Sequence, residues 1–173
     1  MIVKLSDHHD IKSLNILVNS AYRGEFSKKG WTTEADLLDG FRTDEEALKK
    51  MVNKKNSVIL KCINNEGDII GCVYLQKQNV KLYLGMLTVS PLFQNKGTGK
   101  KLLKAAEQYA LENKCSSIYM TVISIRYELI QWYERHGYKQ TGERKPFHPE
   151  SSRFGLPKRQ LEFIVLGKKV NES

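Results

Sequence analysis

Gln94-Asn95-Lys96-Gly97-Thr98-Gly99 decides how this chain is read, because it lies between a strand-like run, Tyr83-Leu84-Gly85-Met86-Leu87-Thr88-Val89, and a helix-like one, Lys100-Lys101-Leu102-Leu103-Lys104-Ala105-Ala106. Ser90-Pro91 closes the strand, so the glycines stand where a helix begins. The first amides of a helix have no intrahelical acceptors and sit at the positive end of its dipole, while glycine has no Cβ to hold an oxyanion away. The hexapeptide therefore reads as an anion cradle, and a pyrophosphate is the guest it suits.

Register excludes two common nucleotide loops. Gln94 stands where a Walker A loop has its first glycine, and Lys101 where that loop has its Mg²⁺-binding hydroxyl, which argues against ATP or GTP. Leu102 takes the place of the third glycine in Gly-x-Gly-x-x-Gly, which argues against NAD. A second segment, Trp132-Tyr133-Glu134-Arg135-His136-Gly137-Tyr138, reads as a helix ending in a glycine and entering a strand. Leu129, Ile130 and Tyr133 recur at helical spacing, Arg135 and His136 supply cations to the last turn, and Gly137 is placed as the C′ residue. In these two segments together the chain resembles the GCN5-related N-acetyltransferase (GNAT) family, with its Gln/Arg-x-x-Gly-x-Gly/Ala pyrophosphate loop and its Tyr-Glu-Lys-x-Gly-Phe segment. The motif match spans about residues 82–140.

The resemblance implies an acetyl-CoA-dependent N-acetyltransferase that passes acetyl directly to a primary amine of a small molecule or peptide, with coenzyme A as product. It assigns Met86, Leu87, Thr88 and Val89 to the pantetheine and thioester through their backbone, and Gln94, Asn95, Lys96, Gly97, Thr98, Gly99 and Lys100 to the pyrophosphate. Tyr133 takes the position of a proton donor to the departing thiolate, with a core tyrosine as the alternative. Arg126 stands where many members carry an asparagine on the cofactor arm; it is open to a cofactor phosphate, an acidic acceptor or a plain surface position at a helix start. Where the histone-acetylating branch has a glutamate base, this chain has Tyr83. Tyr22, Arg23, Trp31 and Thr32 fall where the family builds its acceptor wall, and Glu25 or Glu34 could relay a proton through water or simply be solvated or capping. A fold of this kind with little turnover, an acyl-CoA-binding regulatory module, is the alternative from another class.

Outward from these motifs the chain alternates as β-α-α-β-β-β-α-β-α-β-β. Ile2 to Leu5 is strand-like, and Ile11, Leu14, Leu17, Val18 and Ala21 follow the helical period. Thr33-Glu34-Ala35-Asp36 and Thr43-Asp44-Glu45-Glu46 offer two capping starts, with a helix expected from about Thr43 to Val52. Val58 to Ile63 and Ile69 to Leu75 flank the turn residues Asn64-Asn65-Glu66-Gly67-Asp68 and read as a hairpin, followed by a strand from Lys81 to Val89. The cradle helix runs to about Asn113, and strands follow at Ser117 to Val122, Tyr138 to Glu143 and Leu161 to Leu166. The expected fold is α/β: a mixed, mostly antiparallel central sheet flanked by helices, GNAT-type, with parallel strands around the cofactor loop. The stretch from Arg144 to Lys158 exceeds a hairpin turn and is expected to form a partial lid over the acceptor site.

At 173 residues one domain is the expectation. No apolar run reaches the roughly 18 residues of a membrane span, and no secretory signal opens the chain, so a cytoplasmic setting is expected. Cys62, Cys72 and Cys115 form no CxxC pair and read as buried thiols; the four histidines lack metal-ligand spacing, so no metal site is expected. The net charge of +9 is spread along the chain, which argues for a field that steers anionic ligands and against a nucleic-acid partner. Oligomeric state is left open, a homodimer included.

Overall fold

The structure, a computed structural model, describes residues 1–147 and 154–170. Strand β1 (Ile2–Leu5) leads into α1 (Ile11–Tyr22), which buries Ile11, Leu14, Leu17, Val18 and Ala21, the face its periodicity predicts. A single-turn helix α2 (Gly24–Ser27) and the short strand β2 (Leu38–Asp39) precede α3 (Glu45–Asn53). Asp44 caps α3 by accepting from the Ala47 amide at 2.8 Å, and Glu45 and Glu46 complement the dipole. No helix follows the other capping sequence: the Thr33 hydroxyl accepts from the Ala35 amide at 3.0 Å, and the chain turns instead. Then come β3 (Ser57–Ile63), β4 (Ile69–Gln78), β5 (Lys81–Val89), α4 (Thr98–Glu112), β6 (Ser117–Ile123), α5 (Tyr127–Arg135), β7 (Lys139–Pro146), β8 (Leu156–Pro157) and β9 (Glu162–Lys169).

The main sheet has seven strands in the order β1-β3-β4-β5-β6-β9-β7. Every neighbouring pair is antiparallel except β5 and β6, which join across the α4 crossover. On one face, α1 and α3 pack Leu14, Val18 and Leu48 against Ile59, Cys72 and Tyr74. On the other, α4 and α5 pack Leu102, Leu103, Ala106 and Ile130 against Leu60, Val73, Leu82 and Leu84. All three cysteines are buried and free, and burial pushes the Cys72 thiol up to about 12. No helix among the described residues is long and apolar enough to cross a membrane.

Two departures from the sequence reading concern the stretch from Arg144 to Lys158. Strand β7 continues to Pro146, and β8 pairs with β2 through Leu38↔Pro157 and Asp39↔Leu156. The expected lid is thus partly strand, and its centre, residues 148–153, lies outside the described residues. The Tyr138 hydroxyl is buried with no partner among the described residues, so Tyr138→Phe removes a desolvated donor without opening a cavity. Its Tm is expected to hold or rise; a fall of several degrees on thermal denaturation would show that the hydroxyl is satisfied.

Candidate active site

The site begins with an irregularity in β5. Cys72 on β4 faces Thr88, but Tyr74 faces Gly85, so β5 carries one residue more than β4 across this interval. Met86 absorbs it with a left-handed φ of 53°. The bulge inverts the side-chain alternation: Leu82 and Leu84 point to the α4 face before it, and Leu87 and Val89 do so after it, while Met86 joins the α1 face. Strand β5 pairs with β6 only from Lys81↔Ser117 to Tyr83↔Tyr119; beyond that the two parallel strands part. Met86 and Leu87 consequently have no partner residue on β4 or β6. The Leu87 carbonyl is held by the Tyr22 hydroxyl, which donates to it at 2.8 Å. Burial pushes the Tyr22 phenol up to about 12, so it remains a donor at neutral pH.

Two cavities occupy the gap between the parted strands and meet at Tyr22, Leu87, Arg126, Leu129 and Tyr133. The first, of about 300 Å³, runs from Leu87, Thr88 and Val89 to Gln94, Asn95, Gly97, Gly99 and Lys100. Its far end is the cradle: Asn95 and Gly97 are left-handed, at φ 61° and 82°, and no side chain caps α4. A Cβ on Gly97 would meet nothing within 4 Å, so that backbone faces open space, as close approach of a phosphate requires. Lys100 lines the cavity, and Lys96 rests over the Phe93 ring at 5.2 Å. The residues present suit a pyrophosphate.

Two cradle side chains are otherwise engaged. Gln94 accepts from the Trp31 amide at 2.9 Å and donates to the Val89 carbonyl at 3.1 Å, clasping the loop after α2 to the end of β5. That clasp explains Gly30, where a Cβ would stand 2.4 Å from the Gln94 Oε1. Thr98 is buried and its hydroxyl donates to the Met1 sulfur, leaving only its backbone toward the cradle. Trp132 and His136, ring centroids 4.3 Å apart, complete the cavity wall beside Trp31.

The second cavity, of about 270 Å³, holds a buried charge network. Glu34 accepts from Arg23 Nε at 3.0 Å on one oxygen and from Arg126 Nη1 at 3.1 Å on the other. Arg126 also donates to the Thr32 hydroxyl at 2.7 Å, and Arg23 to the carbonyls of Phe41 and Phe154. All three ionic side chains are under a tenth exposed. Arg126 is therefore neither a surface cation nor free to swing; it links α5 to the loop after α2. Glu34 is neither solvated nor a cap. Glu25 lines neither cavity and pairs with Lys28 at 2.8 Å on the surface.

Tyr133 reaches both cavities and is 5% exposed. Burial, with Tyr22 adding to it, raises its phenol well above the ordinary range, so it stays protonated. Of the acceptor-wall residues, Tyr22, Trp31 and Thr32 line the first cavity, and Tyr22 is shared with the second, which also takes Arg23 and Glu34.

Residues 18–138 match the Acetyltransferase (GNAT) family. The chain belongs to that family. A spermine/spermidine N(1)-acetyltransferase of Bacillus subtilis is 31% identical over 87 residues, covering 45% of this chain and 57% of that protein. The chain thus spans a little over half the length of the curated relatives it matches. Among solved GNAT folds, the ribosomal-protein-S18-alanine N-acetyltransferase of Escherichia coli superposes with a TM-score of 0.73 at 13% identity, covering 99% of this chain and 95% of that one. A Bacillus anthracis protein assigned as a streptothricin acetyltransferase, solved with acetyl coenzyme A, gives a TM-score of 0.58 at 22% identity, covering 69% and 66%. These likenesses show the GNAT fold. Sequence reasoning missed Arg42, Trp132 and His136 as cavity residues; Trp132 and His136 lie in the quoted helix-end segment, but nothing in spacing marks which side of α5 faces the gap.

Proposed function

We propose that the protein is an acetyl-CoA-dependent N-acetyltransferase acting by direct transfer to a primary amine. The observation that carries this reading is the junction of the two cavities at the bulged strand, against the buried phenol of Tyr133. Acetyl coenzyme A, when bound, supplies the acetyl group as an activated thioester. The reaction forms an N–C bond, breaks the C–S bond and moves one proton from nitrogen to sulfur. The first cavity binds the cofactor, with the Gly97 turn and the opening amides of α4 on its phosphates. The bulge leaves the Leu87 amide outside both ladders, available to the thioester oxygen, while Tyr22 fixes the carbonyl on its other side. Tyr133 donates a hydrogen bond to the sulfur as negative charge collects there.

Both Glu34 oxygens are engaged by arginines, Glu25 is remote, and Glu128, which accepts from the Thr32 hydroxyl at 2.9 Å, lines neither cavity, so among the described residues no carboxylate of the two linings stands ready as a base. The acceptor must then arrive neutral, and kcat/KM is expected to rise about tenfold per pH unit until the amine pKa is passed. Because the Tyr133 phenol is raised above its usual value of 10, its protonated form persists and no descending limb appears below about pH 10. The test is thiol release from acetyl coenzyme A with a panel of primary amines, followed by a pH profile for the best of them. A decline between pH 8 and 9.5 would contradict the role given to Tyr133.

A further inference from the structure

The second cavity carries a charge bias that bears on the acceptor. Among the described residues three arginines, Arg23, Arg42 and Arg126, line it against one carboxylate, Glu34. Glu34 is used up, with one arginine on each oxygen. No carboxylate among the described residues of this lining is therefore left for an extended cation. Arg42 lies over the Tyr22 ring, its Cζ 5.2 Å from the centroid, and has no carboxylate partner among the described residues. Its backbone is fixed by the Asn19 side chain, which accepts from the Arg42 amide at 2.8 Å. Arg126 Nε is buried without a hydrogen-bond partner among the described residues; the nearest carboxylate oxygen to it, Glu128 Oε1, stands 4.0 Å away. The remaining wall includes Met120, Phe147 and Phe163, which present apolar surface.

We propose that the acceptor is a small primary amine that also carries an oxyanion, a carboxylate or a phosphonate, bound with the anion at Arg42 and the amine toward Leu87 and Tyr133, and that polyamines are disfavoured. The proposal rests on the acetyltransferase reading. An arginine fork matches either oxyanion with paired charge-assisted hydrogen bonds. A spermidine-like chain would instead place ammonium groups beside an arginine that has no counter-ion among the described residues. The acceptor class would then differ from that named for the Bacillus subtilis relative, which matches this chain over only 87 residues.

The experiment compares thiol release with L-methionine, its aminophosphonate analogue, L-methioninamide and spermidine, in the wild type and in Arg42→Met and Arg42→Lys, with acetyl coenzyme A binding measured by calorimetry for each protein. The expected result is that one or both acids exceed the amide and spermidine in kcat/KM by about 10- to 100-fold. Arg42→Met collapses that ratio and Arg42→Lys restores part of it. Activity with the carboxylate alone, or the phosphonate alone, identifies which oxyanion the arginine reads. If acetyl coenzyme A binds but spermidine or the amide is preferred, if no acid is accepted, or if Arg42→Met leaves the ratio unchanged, the acceptor proposal is overturned and the cofactor reading stands. Absence of cofactor binding in the folded wild type overturns the acetyltransferase reading itself.

Discussion

Tyr133→Phe is expected to lower kcat by about 100-fold while leaving the affinity for acetyl coenzyme A within about twofold of the wild type. A 100-fold loss corresponds to about 2.7 kcal/mol of transition-state stabilisation, the scale of one hydrogen bond to developing charge in a site shielded from water. Full proton transfer is not required for an effect of that size. An ordinary phenol protonating an ordinary thiolate is already uphill by about 2 kcal/mol, and burial raises the Tyr133 phenol further. Burial raises a thiol as well, so the mismatch does not grow without limit, but a hydrogen bond that strengthens as the C–S bond stretches suits these acidities better than an early transfer. The phenylalanine keeps the ring that packs edge-on against Trp132 and Tyr138, and the fold should be undisturbed. Steady-state thiol release beside calorimetric titration checks both halves. An equal loss in kcat and in cofactor affinity would make Tyr133 a packing residue.

Glu34→Gln is expected to be the most destabilising single exchange in the site. Removing the central charge leaves Arg23 and Arg126 buried beside each other without the carboxylate they share, and breaking a buried ion pair in this way costs about 3–5 kcal/mol. For a chain of this size that is a fall in Tm of roughly 10 °C. The same network ties the end of α1, the turn before β2, the carbonyl of Phe154 and the start of α5 together, so the damage should centre on the acceptor side. Glu25→Gln, which breaks an exposed pair with Lys28, is the control and should move Tm within error. A shift for Glu34→Gln no larger than that of Glu25→Gln would show that the triad is solvated in solution.

Where local chemistry and tertiary structure agree, the sequence was legible. The buried face of α1, the cap of α3, the β3–β4 hairpin and the Gly137 C′ position follow from period, capping residues and turn residues. The parallel β5–β6 pair follows from the crossover through the cradle helix. What was not legible depends on long-range geometry. The bulge at Met86 has no sequence mark, because the left-handed residue is a methionine rather than a glycine and the apolar pattern through Leu87 looks continuous. Glu34 carries the pattern of a cap, but Arg23 and Arg126, 11 and 92 residues away, claim it. Arg126 at the start of a helix reads as a cofactor-phosphate ligand, a contact to an acidic acceptor or a surface cation; its pairing with Glu34 emerges only when α5 is docked against the loop after α2. Gln94 reads as a phosphate ligand until Trp31 is brought beside it.

Every role proposed for the site requires acetyl coenzyme A in the cavity that ends at Gly97. Calorimetric titration of the wild type beside Gly97→Glu tests it: the exchange places a carboxylate at a left-handed position that opens toward the cradle, where it would meet the phosphates. The account predicts one-to-one binding by the wild type and none detectable by a variant with the same circular dichroism spectrum. Binding of equal strength by both proteins, or none by a folded wild type, would contradict it.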